Sequence, residues 1–159
     1  MGEIQKKEIK QFLKDKCSAF NTFRTLVLFG MNTATYKFAF CHALLKQKPQ
    51  NSIRYDDLRD DFVKEFVDHF EHNPHQFQRG TTKFTQEIAS YVKSEQDGTD
   101  WTRLIDVAEK SIYNNVFDAF QNVGRGVIDK PYQLFEHDRK NRKLILTDNT
   151  NLILENDLV

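Results

Sequence analysis

The chain has 159 residues, with 23 Lys plus Arg against 23 Asp plus Glu, so no global field draws it to nucleic acid or an anionic membrane; such binding has to come from a local patch. A chain of this length buries roughly 70% of the surface its unfolded form exposes, which is enough for one domain with a real core, and a single domain over residues 1–159 is the expectation. Charged residues recur throughout, leaving no run near the roughly 18 apolar residues that a membrane span requires.

In chain order, Glu3 to Phe20 places Ile4, Ile9, Phe12, Leu13, Cys17 and Phe20 at near-helical intervals with Lys6, Lys7, Lys10 and Lys14 opposite, which predicts an amphipathic first helix. The run TFRTLVLF from Thr22 to Phe29 is short and apolar, so periodicity leaves both a helix and an extended connector open. Asn32 and Thr33 are good N-cap types, and a helix is expected from Ala34 to about Gln47, closed by Pro49. At 100° steps Thr35, His42 and Lys46 form a narrow polar stripe, with Lys37 well away from it. The remaining residues, Tyr36, Phe38, Phe40, Leu44 and Leu45 among them, make this a helix surrounded by others.

Ser52 is expected to open the next helix, with Asp56 and Asp57 near its positive end and Tyr55, Leu58, Phe62, Phe66 and Phe70 forming an apolar stripe. Pro74 and Gly80 break the pattern within EHNPHQFQRG. Helical periodicity returns from Thr82 to about Glu95. After the turn Gln96-Asp97-Gly98-Thr99, one long helix is expected from Asp100 to Gln121, stopped by Gly124 and Gly126. Beyond Pro131 the character changes: YQLFEH and KLILT flank the basic DRKNR, which predicts a β hairpin over about 132–147 that must pack on helices to be stable. Thr147 or Asp148 then caps a short last helix over about 148–156. The fold class expected is mainly α, about five to six helices with one small β hairpin near the C-terminus, and the 14 Phe are most simply its core.

The opening MGEIQKKEIK holds no apolar run suited to a signal peptide, and Lys6 at the sixth position argues against myristoylation. With Cys17 and Cys41 inside apolar helical patterns, the expectation is a cytoplasmic protein with reduced thiols. Hydrolase elbows, phosphate loops, HExxH and CxxC patterns are absent from the sequence, so no catalytic residue and no cofactor is assigned. His69, His72 and His75 stand at intervals of three, but Pro74 redirects the chain before the third and no acidic ligand or Cys is placed with them. They read as loop histidines, and no metal is assigned, a metallohydrolase site here being the weakest of the readings. His42 reads as a hydrogen-bonded packing residue, and the acidic set Asp56, Asp57, Asp60, Asp61 and Glu65 as a face turned to water. The candidate binding residues are basic. Arg125, Lys130, Arg139, Lys140, Arg142 and Lys143 cluster around a glycine loop and a hairpin tip, a shape that sets several cations along a phosphate backbone.

Three stretches, NTATYKFAFCHALL, NNVFDAFQNVGRGVIDKPYQLFEHDRKNRK and LILTDNTNLILEN, together resemble the segment that precedes the catalytic domain in bacterial HNH-type endonucleases of restriction and phage-defence systems. The resemblance runs roughly from Thr22 to Asn156. It implies DNA cleavage by a ββα-metal site in a following domain, yet no such core lies between the last of these stretches and Val159, and His72-Asn73-Pro74-His75 does not replace it. Catalytic residues are therefore not carried over. Two functions follow as expectations: a truncated chain or split subunit whose helical module positions duplex DNA or docks a nuclease partner, or a complete non-enzymatic adaptor or dimerisation module with a Phe-rich exposed surface as its interface.

Overall fold

Weak helix propensity in a run such as TFRTLVLF is overridden when its apolar side finds a partner, and this is what happens at the start of the described chain. The structure is a computed structural model and describes residues 19–29, 36–73, 82–94, 98–111, 113–123 and 126–156. Helix α1 spans Ala19–Phe29, so the run that periodicity left open is helical, while the expected first helix lies mostly outside the described residues. Thr22 and Thr25 are buried in α1, and Thr25 Oγ1 donates to the Asn21 carbonyl at 2.7 Å, which lets a hydroxyl sit inside without an unmet donor.

The elements that follow are α2 (Tyr36–Leu45), β1 (Ser52–Arg54), α3 (Tyr55–His72), α4 (Lys83–Lys93), α5 (Gly98–Ser111), α6 (Tyr113–Phe120), β2 (Asn122–Val123), β3 (Gly126–Val127), β4 (Phe135–Asp138), β5 (Lys143–Leu146) and α7 (Asp148–Leu154), with a 3-10 turn at Lys130–Tyr132. The chain is mainly α, as the periodicity implies. One boundary differs from expectation. Ser52 opens a strand and not a helix: β1 lies beside β5, with Leu146 N–H donating to the Asn51 carbonyl at 2.9 Å, and α3 starts only at Tyr55. The helix expected from Asp100 to Gln121 is described as α5 (Gly98–Ser111) and α6 (Tyr113–Phe120), on either side of Ile112, which lies outside the described residues.

The chain forms two compact units. The first draws on the described parts of 1–31, 45–53 and 117–159. It holds a three-stranded sheet in the order β1-β5-β4 and the short antiparallel pair β2-β3. In the hairpin, Phe135 faces Leu146, Glu136 faces Ile145, His137 faces Leu144 and Asp138 faces Lys143. Alternation puts Phe135, Leu144 and Leu146 on the buried face and leaves Glu136 and Ile145 exposed. Helix α1 packs on α7 and on β2, and Phe120 stacks on Phe135 with ring centroids 6.1 Å apart.

The second unit draws on 32–44 and 54–116. Its centre is aromatic: Phe66 lies 5.3 Å from Phe62, 5.3 Å edge-on from Phe84 and 4.7 Å from Tyr36. Phe62, Phe66 and Phe84 are fully buried, each burial stabilising by roughly 1.5–3 kcal/mol. The turn of α2 resolves its wheel: Lys37, Cys41 and Leu44 face inward, whereas Phe38 is 38% exposed, so Phe38 is not the core residue its neighbours suggest. The N-cap residues expected at Asn32 and Thr33 lie outside the described residues. Thr82 caps α4, its hydroxyl accepting from Thr85 N–H at 3.2 Å, and α4 packs on α5 with Tyr91 on Trp101 at 5.4 Å and Arg103 to Glu87 at 2.9 Å.

The side chain of Gln121 takes the place of a neighbouring strand along β4, as its Oε1 accepts from Leu134 N–H at 2.6 Å and its Nε2 donates to the Phe135 carbonyl at 2.8 Å. Gln121→Ala leaves both buried groups unpaired. It is expected to lower the unfolding free energy by about 2–4 kcal/mol, read from urea denaturation; a loss under about 1 kcal/mol contradicts this bridging role.

Candidate nucleic-acid interface

A basic loop between two short strands has to satisfy its own turn before its cations can be presented. Here Asp138 does this. Its Oδ1 accepts from Asn141 N–H at 3.1 Å and its Oδ2 from Asn141 Nδ2 at 2.7 Å, while Arg142 N–H donates to the Arg139 carbonyl at 3.4 Å. These bonds to the ionised form hold the Asp138 carboxyl below its ordinary range, Asn141 being the main cause and Lys143 and Lys140 adding to it. Arg142 closes the turn at φ 52°, a left-handed conformation uncommon for a side chain of its size.

The result gathers four of the six predicted cations. Arg139, Lys140 and Arg142 are exposed at the tip, and Lys143 is half-buried at the start of β5. Lys130 is exposed too, but it belongs to the other end of the hairpin. Its 3-10 turn is held where Asn149 Nδ2 donates to the Pro131 carbonyl at 3.0 Å, beside the Phe135–Leu146 end of the ladder. Four strand residues, about 10 Å of β4, separate that end from the tip. Arg125 lies outside the described residues.

Two residues that the sequence did not single out complete the site. Asp118, on the last turn of α6, accepts from His137 Nδ1 at 2.8 Å through one oxygen and pairs with Arg139 through the other. The His137 side chain is only 9% exposed and meets Phe117 edge to face at 5.4 Å. Strand parity carried the signal for His137, since it shares its face with Phe135. Nothing in the sequence pairs Asp118 with a hairpin 21 residues away.

The other candidates resolve differently. His72 Nδ1 donates to the Asp68 carbonyl at 2.7 Å, His75 lies outside the described residues, and among the described residues no group of three or more His, Cys, Asp or Glu is arranged to hold a metal ion. His42 sits 3.2 Å from Glu65 on the surface of the second unit. The acidic face of α3 is laced by arginines: Arg59 reaches Asp60 at 3.3 Å, Asp56 at 3.6 Å and Glu109 at 3.2 Å, and Arg54 reaches Asp56 at 3.2 Å. Such exposed pairs contribute little each and offer no converging carboxylates. Among the described residues no helix is long and apolar enough to cross a membrane. No protein-family model, no curated protein and no solved structure matches the chain.

Lys37 and Cys41 are the buried ionisable pair of α2, one turn apart. Burial pulls the Lys37 ammonium down to about 8 and pushes the Cys41 thiol up to about 12. Folding thus disfavours charged Lys37, so stability rises as pH climbs above about 8, while the unfolded lysine still holds its proton. Above about 9 the unfolded thiol ionises and the buried one does not, which lowers stability again. Urea midpoints are expected to rise from pH 7.5 to about 9 and then level or fall. Lys37→Met should remove the rise and stabilise the protein at pH 7 by on the order of 2 kcal/mol; a rise that persists in the variant contradicts the assignment.

Proposed function

We propose that the chain is a non-catalytic, cytoplasmic docking module that holds duplex DNA through its hairpin tip, in the service of a nuclease of bacterial restriction or phage defence. The observation that carries this reading is the concentration of Arg139, Lys140, Arg142 and Lys143 around one self-bonded turn, on a stem anchored by buried Phe135, Leu144 and Leu146. A protein of zero formal net charge binds a polyanion only through such a local concentration. A turn of this size has the reach to follow a phosphate backbone and offers few groups for base readout, so the binding is weak in sequence preference and steep in salt. The resemblance of the chain to the segment that precedes HNH catalytic domains supports DNA as the polyanion and a nuclease as the partner.

Arg139 is paired with Asp118, so at most three of the tip's cations count toward net counterion release, giving an expected slope of log K against log salt no steeper than about −2.7. Anisotropy of a labelled 20-base-pair duplex between 50 and 300 mM KCl measures it. The triple change Lys140→Glu, Arg142→Glu and Lys143→Glu should weaken binding at least tenfold at 100 mM KCl with an unchanged circular dichroism spectrum, and Lys130→Glu should weaken it less. Equal binding by the wild type and the triple variant, or no binding by either, overturns the proposal.

A second reading, an adaptor or dimerisation module with no role in nucleic-acid binding, draws on one observation. Among the described residues of the first unit the exposed large apolar side chains are Leu28 at 66%, Val127 at 59%, Leu152 at 49% and Ile145 at 37%, with no Phe among them, so an interface there is aliphatic and not the Phe-rich one expected from the sequence. Sedimentation at micromolar concentration separates the two readings: a stable dimer without DNA binding favours the adaptor.

A further inference from the structure

Asp118 stands in an unusual place for a carboxylate if the hairpin tip works as a cation. It projects from the last turn of α6, 43% exposed, and divides its two oxygens between the inward-facing His137 and the outward-facing Arg139. His137 is fixed from behind by Phe117, and its ring nitrogen at 2.8 Å fixes the carboxylate in turn. The Arg139 side chain is 61% exposed and rooted in a four-residue turn, so it has room to swing outward while Asp118 stays on His137. A carboxylate with one oxygen spoken for and the other on an exposed guanidinium presents to that guanidinium what a phosphodiester oxygen presents: a single anionic acceptor.

We propose that Asp118 is an internal stand-in for a phosphate, which masks Arg139 in the free protein and gives it up to the DNA backbone on binding. This rests on the reading of the hairpin tip as a DNA-contacting surface and adds to it a regulating residue on a different element. His137 is the positioning residue: it keeps Asp118 in place whether or not Arg139 has left. The mask lowers affinity, because each phosphate contact made by Arg139 first has to displace an existing ion pair, and it keeps the free tip less cationic than its sequence implies. In the wild type the carboxylate that Arg139 leaves takes up a cation as the phosphate sheds one, so the exchange adds nothing to the salt slope; neutralising Asp118 removes that uptake and adds one counterion released.

The test uses the full chain and the same labelled duplex. Asp118→Asn keeps the shape of the side chain and its ability to accept from His137 but drops the charge. It should bind at least threefold more tightly at 100 mM KCl, with a salt slope steeper by about 0.9. Adding Arg139→Gln to Asp118→Asn should return the slope to the wild-type value, and Asp129→Asn, an equal change in net charge elsewhere in the first unit, should leave the slope unchanged. Wild-type affinity and slope in Asp118→Asn, a slope gain that survives Arg139→Gln, or an equal gain in Asp129→Asn each overturn the proposal. Asp118→Ser is made in parallel, and the reading is taken from whichever variant keeps the wild-type near-ultraviolet spectrum. Loss of the fold in both also overturns it, since a carboxylate the hairpin cannot do without cannot be its exchangeable partner. Failure of this inference is distinct from failure of the DNA reading: in the first case the triple tip variant still loses binding, and in the second it binds as the wild type does.

Discussion

The peptide groups of Leu134 and Phe135 enter the β hairpin in a fully buried position, where an unpaired N–H or C=O costs on the order of 1–3 kcal/mol. The first unit is organised around meeting that demand. Gln121 supplies an acceptor for Leu134 N–H and a donor for the Phe135 carbonyl, while the Leu134 carbonyl collects Thr147 N–H at 3.0 Å and the hydroxyls of Thr147 and Thr150. One dipeptide thereby ties the end of α6, the base of the hairpin and the start of α7 together. At its Phe135 end the outer edge of β4 is met by a side chain instead of a strand.

This anchoring is what gives the hairpin tip a defined position. A two-stranded ribbon on its own is marginal in water, and its loop would scatter its cations. With the base held by hydrogen bonds and the stem by Phe120 against Phe135, the turn can be set by its own chemistry: Asp138 bonding Asn141, and Arg142 adopting the left-handed conformation. The same placement brings His137 and Arg139 to Asp118. The electrostatic character of the tip therefore depends on an acidic residue of α6 as much as on the basic run that marks it in the sequence.

The second unit shows a different use of the aromatic content. Phe62, Phe66 and Phe84 with Tyr36 make a tilted and edge-on cluster, the arrangement that ring quadrupoles favour over face-to-face stacking. Against this centre α2 turns Lys37 and Cys41 inward, both held toward their neutral forms by burial. A lysine on the apolar side of a helix looks like a solubilising residue when only its type is considered. Its position at the same helical angle as Cys41 and Leu44 is the better guide, because packing acts on faces and not on residue classes.

Patterns that depend on neighbours in the chain were legible. The helical intervals of α3, α4 and α5, the return of helix near Thr82, the hairpin between YQLFEH and KLILT, the last helix near 148–156 and the mainly α class all follow from local periodicity and turn chemistry. The basic run Arg139 to Lys143 was equally plain, because an exposed turn needs no partner to form. What depended on distant partners was not legible. Ser52–Arg54 is a strand because β5 lies beside it, the apolar run of α1 is a helix because α7 and β2 cover it, and Gln121 leaves the helix to serve as a strand substitute. Asp118 gained its place beside His137 and Arg139 in the same way. By itself the sequence determined which segments are amphipathic and where charge is concentrated, for these are properties of a few consecutive residues. Only the tertiary structure decided which polar groups meet, since pairing across 21 residues is set by how helices and strands pack and not by any local preference.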